Sequence, residues 1–189
     1  ALTCGRRNPE SALFPYYTEE KIQDAQDQTG PKTVVLVEGE RGDRLWEPFS
    51  SRYDGLYDTE RNVYKNIHGN KLVFEELNRK LNLSFSYVWM TSDRFGIVRK
   101  ATLSNLGNES VRCRFIDGLQ NLLPANVDRA MQNEFSTLVD AYKKTELLTG
   151  SGIGIFALSS VPVDRAEPSE SLTANTVWSM GLDKPVYLL

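Results

Sequence analysis

The chain has 189 residues, 40 % of them hydrophobic, and 22 Lys+Arg against 25 Asp+Glu for a net charge of −3. At about 100–200 residues per domain this is one domain or a domain plus an arm, and 8 Phe, 8 Tyr and 3 Trp can fill a core, which argues against disorder along its whole length. So even a charge balance lacks the basic footprint for nucleic acid or an anionic membrane, and no apolar run approaches the roughly 18 residues of a membrane span.

Residues 1–32 read as an irregular arm, with an aromatic cluster at Phe14-Pro15-Tyr16-Tyr17. Thr18 is placed to cap a polar helix that runs through Gln28 and ends at Gly30-Pro31. From Thr33 the dominant period is two, and residues 33–189 read as a β-sandwich domain. Thr33 to Glu38 is a short apolar strand, whereas residues 50–70 look like loops around short strands. Leu72, Phe74 and Glu76 alternate with Val73, Glu75 and Leu77 as a weaker strand. The clearest run puts Leu83, Phe85, Tyr87 and Trp89 on one face and Ser84, Ser86, Val88 and Met90 on the other. A turn at Asp93-Arg94-Phe95-Gly96 leads into a strand from Ile97 to Ser104, and a second turn at 105–108 leads into Val111, Cys113 and Phe115. Those three strands are expected to form an antiparallel meander. One helix follows, with Asn126 as N-cap and Val127, Met131, Phe135 and Leu138 on one face. Strand character returns at Val139–Leu148, Ile153–Ser159 and Leu172–Ser179, and Val161–Ser171 is an exposed loop. The pattern predicts a mainly β, antiparallel fold with one or two short helices, and a core that includes Phe85, Trp89, Val111, Phe115 and Trp178.

Chemistry-bearing residues are few. A structural zinc site needs four Cys or His ligands, and Cys4, Cys113 and His68 show no ligand spacing. His68, in Asn66-Ile67-His68-Gly69-Asn70, reads as a solvated turn residue, not as the base of a relay. Cys113 reads as a small apolar residue, and two cysteines leave a Cys4–Cys113 disulfide open without defining a compartment. Gly150-Ser151-Gly152-Ile153-Gly154 lacks the Lys-Ser/Thr of a phosphate-binding loop and precedes a strand, so no nucleotide cofactor is expected. Glycoside chemistry needs paired carboxylates. The candidates Asp93, Asp117, Glu134, Asp140, Glu146, Asp164, Glu167 and Glu170 carry no signature and read as solvated charges. A sugar surface is easier to support. Rings could come from the Phe85, Tyr87, Trp89 face and Trp178, and planar polar groups from Arg94, Asn121 and Asn126. Rings alternating along a strand are nevertheless more often core.

Several ordered blocks carry a resemblance. Tyr87-Val88-Trp89-Met90-Thr91-Ser92-Asp93-Arg94-Phe95-Gly96-Ile97-Val98-Arg99, Leu103-Ser104-Asn105-Leu106-Gly107 and Asp117-Gly118-Leu119-Gln120-Asn121-Leu122-Leu123-Pro124 come first. Ala157-Leu158-Ser159-Ser160, Arg165-Ala166-Glu167-Pro168-Ser169-Glu170-Ser171-Leu172 and Thr176-Val177-Trp178-Ser179 follow in order. Together, over roughly residues 70–182, they resemble the N-terminal β-domain of cellobiose phosphorylase-like enzymes; residues 1–69 match much less well. The resemblance implies a galactose-mutarotase-like β-supersandwich. It also implies a C-terminal helical barrel in the same parent chain that holds the general acid and phosphate site. This domain would then be inactive alone, packing on the barrel, helping to build a homodimer and shaping the carbohydrate cleft. Arg94, Asn121, Asn126 and Arg129 are the expected sugar or interdomain contacts, and no catalytic or metal residue is assigned. A mutarotase proper is disfavoured because that chemistry uses two histidines and the chain has one.

The apolar end Pro185-Val186-Tyr187-Leu188-Leu189 reads as the cut edge of a longer protein. On that reading the segment Leu119–Pro124, the helix near Val127 and the tail Val186–Leu189 should be under-buried, waiting for the barrel, or covered by a second copy of the chain. Ala1-Leu2-Thr3-Cys4 shows no basic start or apolar core of a targeting segment, which leaves cytoplasm and periplasm equally open.

Overall fold

The structure is a computed structural model and describes residues 12–15, 27–40, 42–160 and 171–181. The expected helix from Thr18, the loop after Ser160, Cys4 and the tail Val186–Leu189 lie wholly or mostly outside those residues. The described residues are mainly β, with antiparallel ladders throughout and two short helices. The chain divides into two units, Gly30–Gln120 and Ala1–Thr29 with Asn121–Leu189.

The first unit holds β1 (Gly30–Val37), β2 (Arg44–Trp46), β3 (Thr59–Lys65), β4 (Lys71–Asn78), β5 (Leu83–Ser92), β6 (Gly96–Asn105) and β7 (Cys113–Gln120). They form two sheets, ordered β2-β1-β7 and β3-β4-β5-β6. The second is a true meander, and Gly96 at φ 71 makes the tight β5–β6 turn that a side chain would strain. One correction concerns the third expected strand. β7 leaves β6 and pairs along all eight residues with β1, Val35 facing Phe115 and Val37 facing Cys113. Short loops suggested neighbours, but the apolar run of β1 offered the longer ladder. Within residues 50–70, read as loops around short strands, the structure has the seven-residue β3.

Opposed residues share a face, so the registers define the inner layer. Val35, Val37 and Trp46 from one sheet and Leu83 and Phe85 from the other join Leu81 in one core cluster. Leu103 and Ala101 of β6 and Tyr87 of β5 pack against it. Of the expected face Leu83, Phe85, Tyr87 and Trp89, three residues are buried, with Trp89 only 4 % exposed, and Tyr87 is half-buried. Phe115 is corrected. It lies opposite Val35 but is 41 % exposed, because β7 is an edge strand with a neighbour on one side only. Val111 is half-buried against the same core.

The other unit contains α1 (Arg129–Glu134), α2 (Ser136–Tyr142), β8 (Lys143–Leu148), β9 (Ile153–Leu158) and β10 (Ala174–Val177), its sheet ordered β10-β9-β8. Its core is Leu123, Val127, Val139 and Leu158, with Met131, Phe135 and Tyr142 around them. The N-cap is Asp128, not Asn126: its carboxylate accepts from Met131 N at 2.8 Å. The helix also breaks at Phe135, whose φ −124 and ψ 27 end α1 and start α2. That break rotates the apolar face, so Val139 is buried and Leu138, expected on it, is 45 % exposed. The strand expected from Val139 therefore begins only at Lys143. Trp178 falls one residue beyond β10 and is exposed, against expectation. Leu122, Leu123 and Val127 were expected to be under-buried and are buried instead. Leu123 N donates to Leu13 O at 3.1 Å, and Asn175 Nδ2 donates to Leu123 O at 2.8 Å, which pins that segment within its own unit.

Candidate functional site

A period-two strand with one face inward places every second residue in the core whatever its polarity. Glu76 of β4 follows Leu72 and Phe74 on the inner row and is 1 % exposed. An ionised carboxylate there is tolerable only if its oxygens are filled. Trp46 Nε1 donates to Oε1 at 2.8 Å, and Phe49 N and Arg61 Nε donate to Oε2, each at 2.7 Å. Phe49 takes φ 66, in the left-handed region, in the turn that delivers its N–H. Arg61 extends the network through Nη2 to Ser50 O at 2.9 Å and Asp54 Oδ1 at 3.2 Å. Burial alone would lower the Arg61 pKa, but the hydrogen bond and charge of Glu76, helped by Asp54, raise it. Beside them Glu47 is buried with Lys32 Nζ at 2.6 Å. The depression these groups share with Tyr53, Tyr57 and Thr59 encloses about 10 Å³, room for roughly one water and no sugar. Tyr57 donates to Leu45 O at 2.5 Å, and burial, opposed by Arg44, raises its pKa.

A second polar group lies on the same inner layer. Arg99 of β6 sits opposite Trp89, and Asp117 of β7 sits opposite Thr33. Arg99 Nη1 and Nη2 grip Asp117 at 2.7 and 2.8 Å, and Thr33 Oγ1 donates to Asp117 Oδ1 at 2.6 Å. The guanidinium lies 4.7 Å over the Tyr87 ring, which stacks on Phe74 at 5.0 Å. Burial raises the Tyr87 pKa; Arg99 opposes this and Asp117 adds to it. A bidentate guanidinium–carboxylate pair of this kind fixes geometry between two strands that share no ladder.

The residues singled out from sequence are placed as follows. Arg94 is exposed in the β5–β6 turn, its guanidinium 5.2 Å from the Phe95 ring. Asn121, Asn126 and Arg129 belong to the other unit. Asn121, at φ 54, donates to Thr29 Oγ1 and accepts from Lys143 Nζ, each at 3.2 Å. Asn126, at φ 64, donates to Thr173 Oγ1 at 2.8 Å. Both amides bond side chains from segments distant in the chain. Arg129 is exposed at the start of α1. Among the carboxylates, Asp140 pairs with Lys143 at 2.7 Å and Glu146 with Lys144 at 2.9 Å. Asp93 and Glu134 are exposed, while Asp164, Glu167 and Glu170 lie outside the described residues. His68 is exposed in a turn closed by Gly69 N to Asn66 O at 3.0 Å. Among the described residues no group of three or more His, Cys, Asp or Glu is arranged to hold a metal.

Glu76, Trp46 and Arg61 were not singled out from sequence. One signal was there: a glutamate in the row Leu72, Phe74, Glu76, where the alternation calls for an apolar residue. No protein-family model matches the chain, and no curated protein matches it.

Proposed function

We propose that the chain is a non-catalytic β-domain of a carbohydrate-active enzyme, a glycoside phosphorylase or hydrolase whose acid and phosphate site lie on a helical barrel. On this reading its sheets belong to a galactose-mutarotase-like supersandwich, and its work is to pack on that barrel and shape the sugar cleft or dimer. The observation that carries the proposal is the series of ordered sequence blocks. Tyr87–Arg99 spans the β5–β6 hairpin, and Asp117–Pro124 runs from β7 into the segment before α1. Ala157–Ser160 and Thr176–Ser179 cover the ends of β9 and β10. A structural part for two hydrogen-bonded carboxylates accords with that reading: Glu76 is buried with three donors on it, and Asp117 is gripped by Arg99 and Thr33.

A purified sample of the 189-residue chain, given cellobiose with inorganic phosphate or an aryl glucoside, is expected to release no product. Turnover abolished by one carboxylate substitution within this chain would overturn the proposal. A second reading, a self-sufficient carbohydrate-binding module, draws support from one observation. Leu122, Leu123 and Val127, which a domain awaiting a barrel would leave open, are already buried.

A further inference from the structure

We draw no further inference here: the strongest candidate, the open groove of about 360 Å³ over β8 and β9 lined by Lys144, Glu146, Ile155, Ala157 and Ser159, has its two charges paired with each other, and nothing in the structure shows what covers it.

Discussion

Replacing Glu76 by alanine removes the acceptor of three donors at once. Trp46 Nε1 and Phe49 N each lose the carboxylate oxygen they donate to, and each buried donor left unmade costs about 1–3 kcal/mol. Arg61 is different. Its side chain is 40 % exposed and keeps Ser50 O and Asp54, so its charge finds water and adds little. The lost methylenes of a side chain 1 % exposed add a cavity term on top. Because these losses share one site and do not add in full, the total is about 3–5 kcal/mol. Urea unfolding followed by tryptophan fluorescence is the assay. With m near 2 kcal/mol/M, that cost moves the midpoint down by about 1.5–2.5 M. Glu76→Gln tests the cause more finely. It keeps the volume but turns an amide NH₂ toward a donor, so it should cost roughly 1–3 kcal/mol, less than alanine. A midpoint within about 0.3 M of the parent for Glu76→Ala would refute the network as a stabilising element.

Trp89→Ala, at a site 4 % exposed, should cost about 3–5 kcal/mol, and an unchanged melting temperature would contradict its place in the fold. Asp128→Ala removes the cap on Met131 N and should cost about 1 kcal/mol, while Asn126→Ala leaves α1 intact by circular dichroism; the opposite ranking would restore Asn126 as the cap. The raised pKa of Tyr87 means that its neutral phenol supports the fold. That contribution is fully present below the ordinary phenol value of about 10 and is lost as pH rises through the higher folded value. Urea midpoints taken across the alkaline range should therefore fall more steeply for the parent than for Tyr87→Phe, and parallel curves would refute the assignment. Glu60 has its carboxyl held below the usual range by a hydrogen bond from Asn62 and by Arg79, so its share of stability is present above its unfolded pKa and fades as acid titrates the folded value. Arg79→Ala should move its pKa, read by carbon-detected NMR, back up towards that of a free glutamate.

Much of the β architecture was legible because period two is a strong signal wherever one face is buried. In the row Leu83, Phe85, Tyr87, Trp89 all but the half-buried Tyr87 are buried, and the β5–β6 turn falls at Asp93–Gly96. What was not legible depends on partners distant in the chain. The pairing of Cys113–Gln120 with Gly30–Val37 spans far more chain than the turn at 105–108, and no local pattern distinguishes the two pairings. Thr59–Lys65 has Glu60, Arg61 and Lys65 within it, so its bounds as a strand were not legible, because an edge strand is allowed charges that a central strand is not. The helix face failed at one backbone break. A continuous 3.6 period through Phe135 carries the stripe to Leu138, whereas the observed restart carries it to Val139. The polar centres were the least legible part. Glu76 and Arg61 are fifteen residues apart, and Arg99 and Asp117 eighteen, so each pair exists only once the sheets are assembled.

The most direct measurement for the proposed role is calorimetric titration of the isolated chain with cellobiose and longer cello-oligosaccharides. A non-catalytic domain whose sugar cleft is completed by another domain should give no saturable heat with any of them. Saturable one-to-one binding, lost on substituting Arg94, Asn121, Asn126 or Arg129, would contradict that account and make the chain a binding module in its own right.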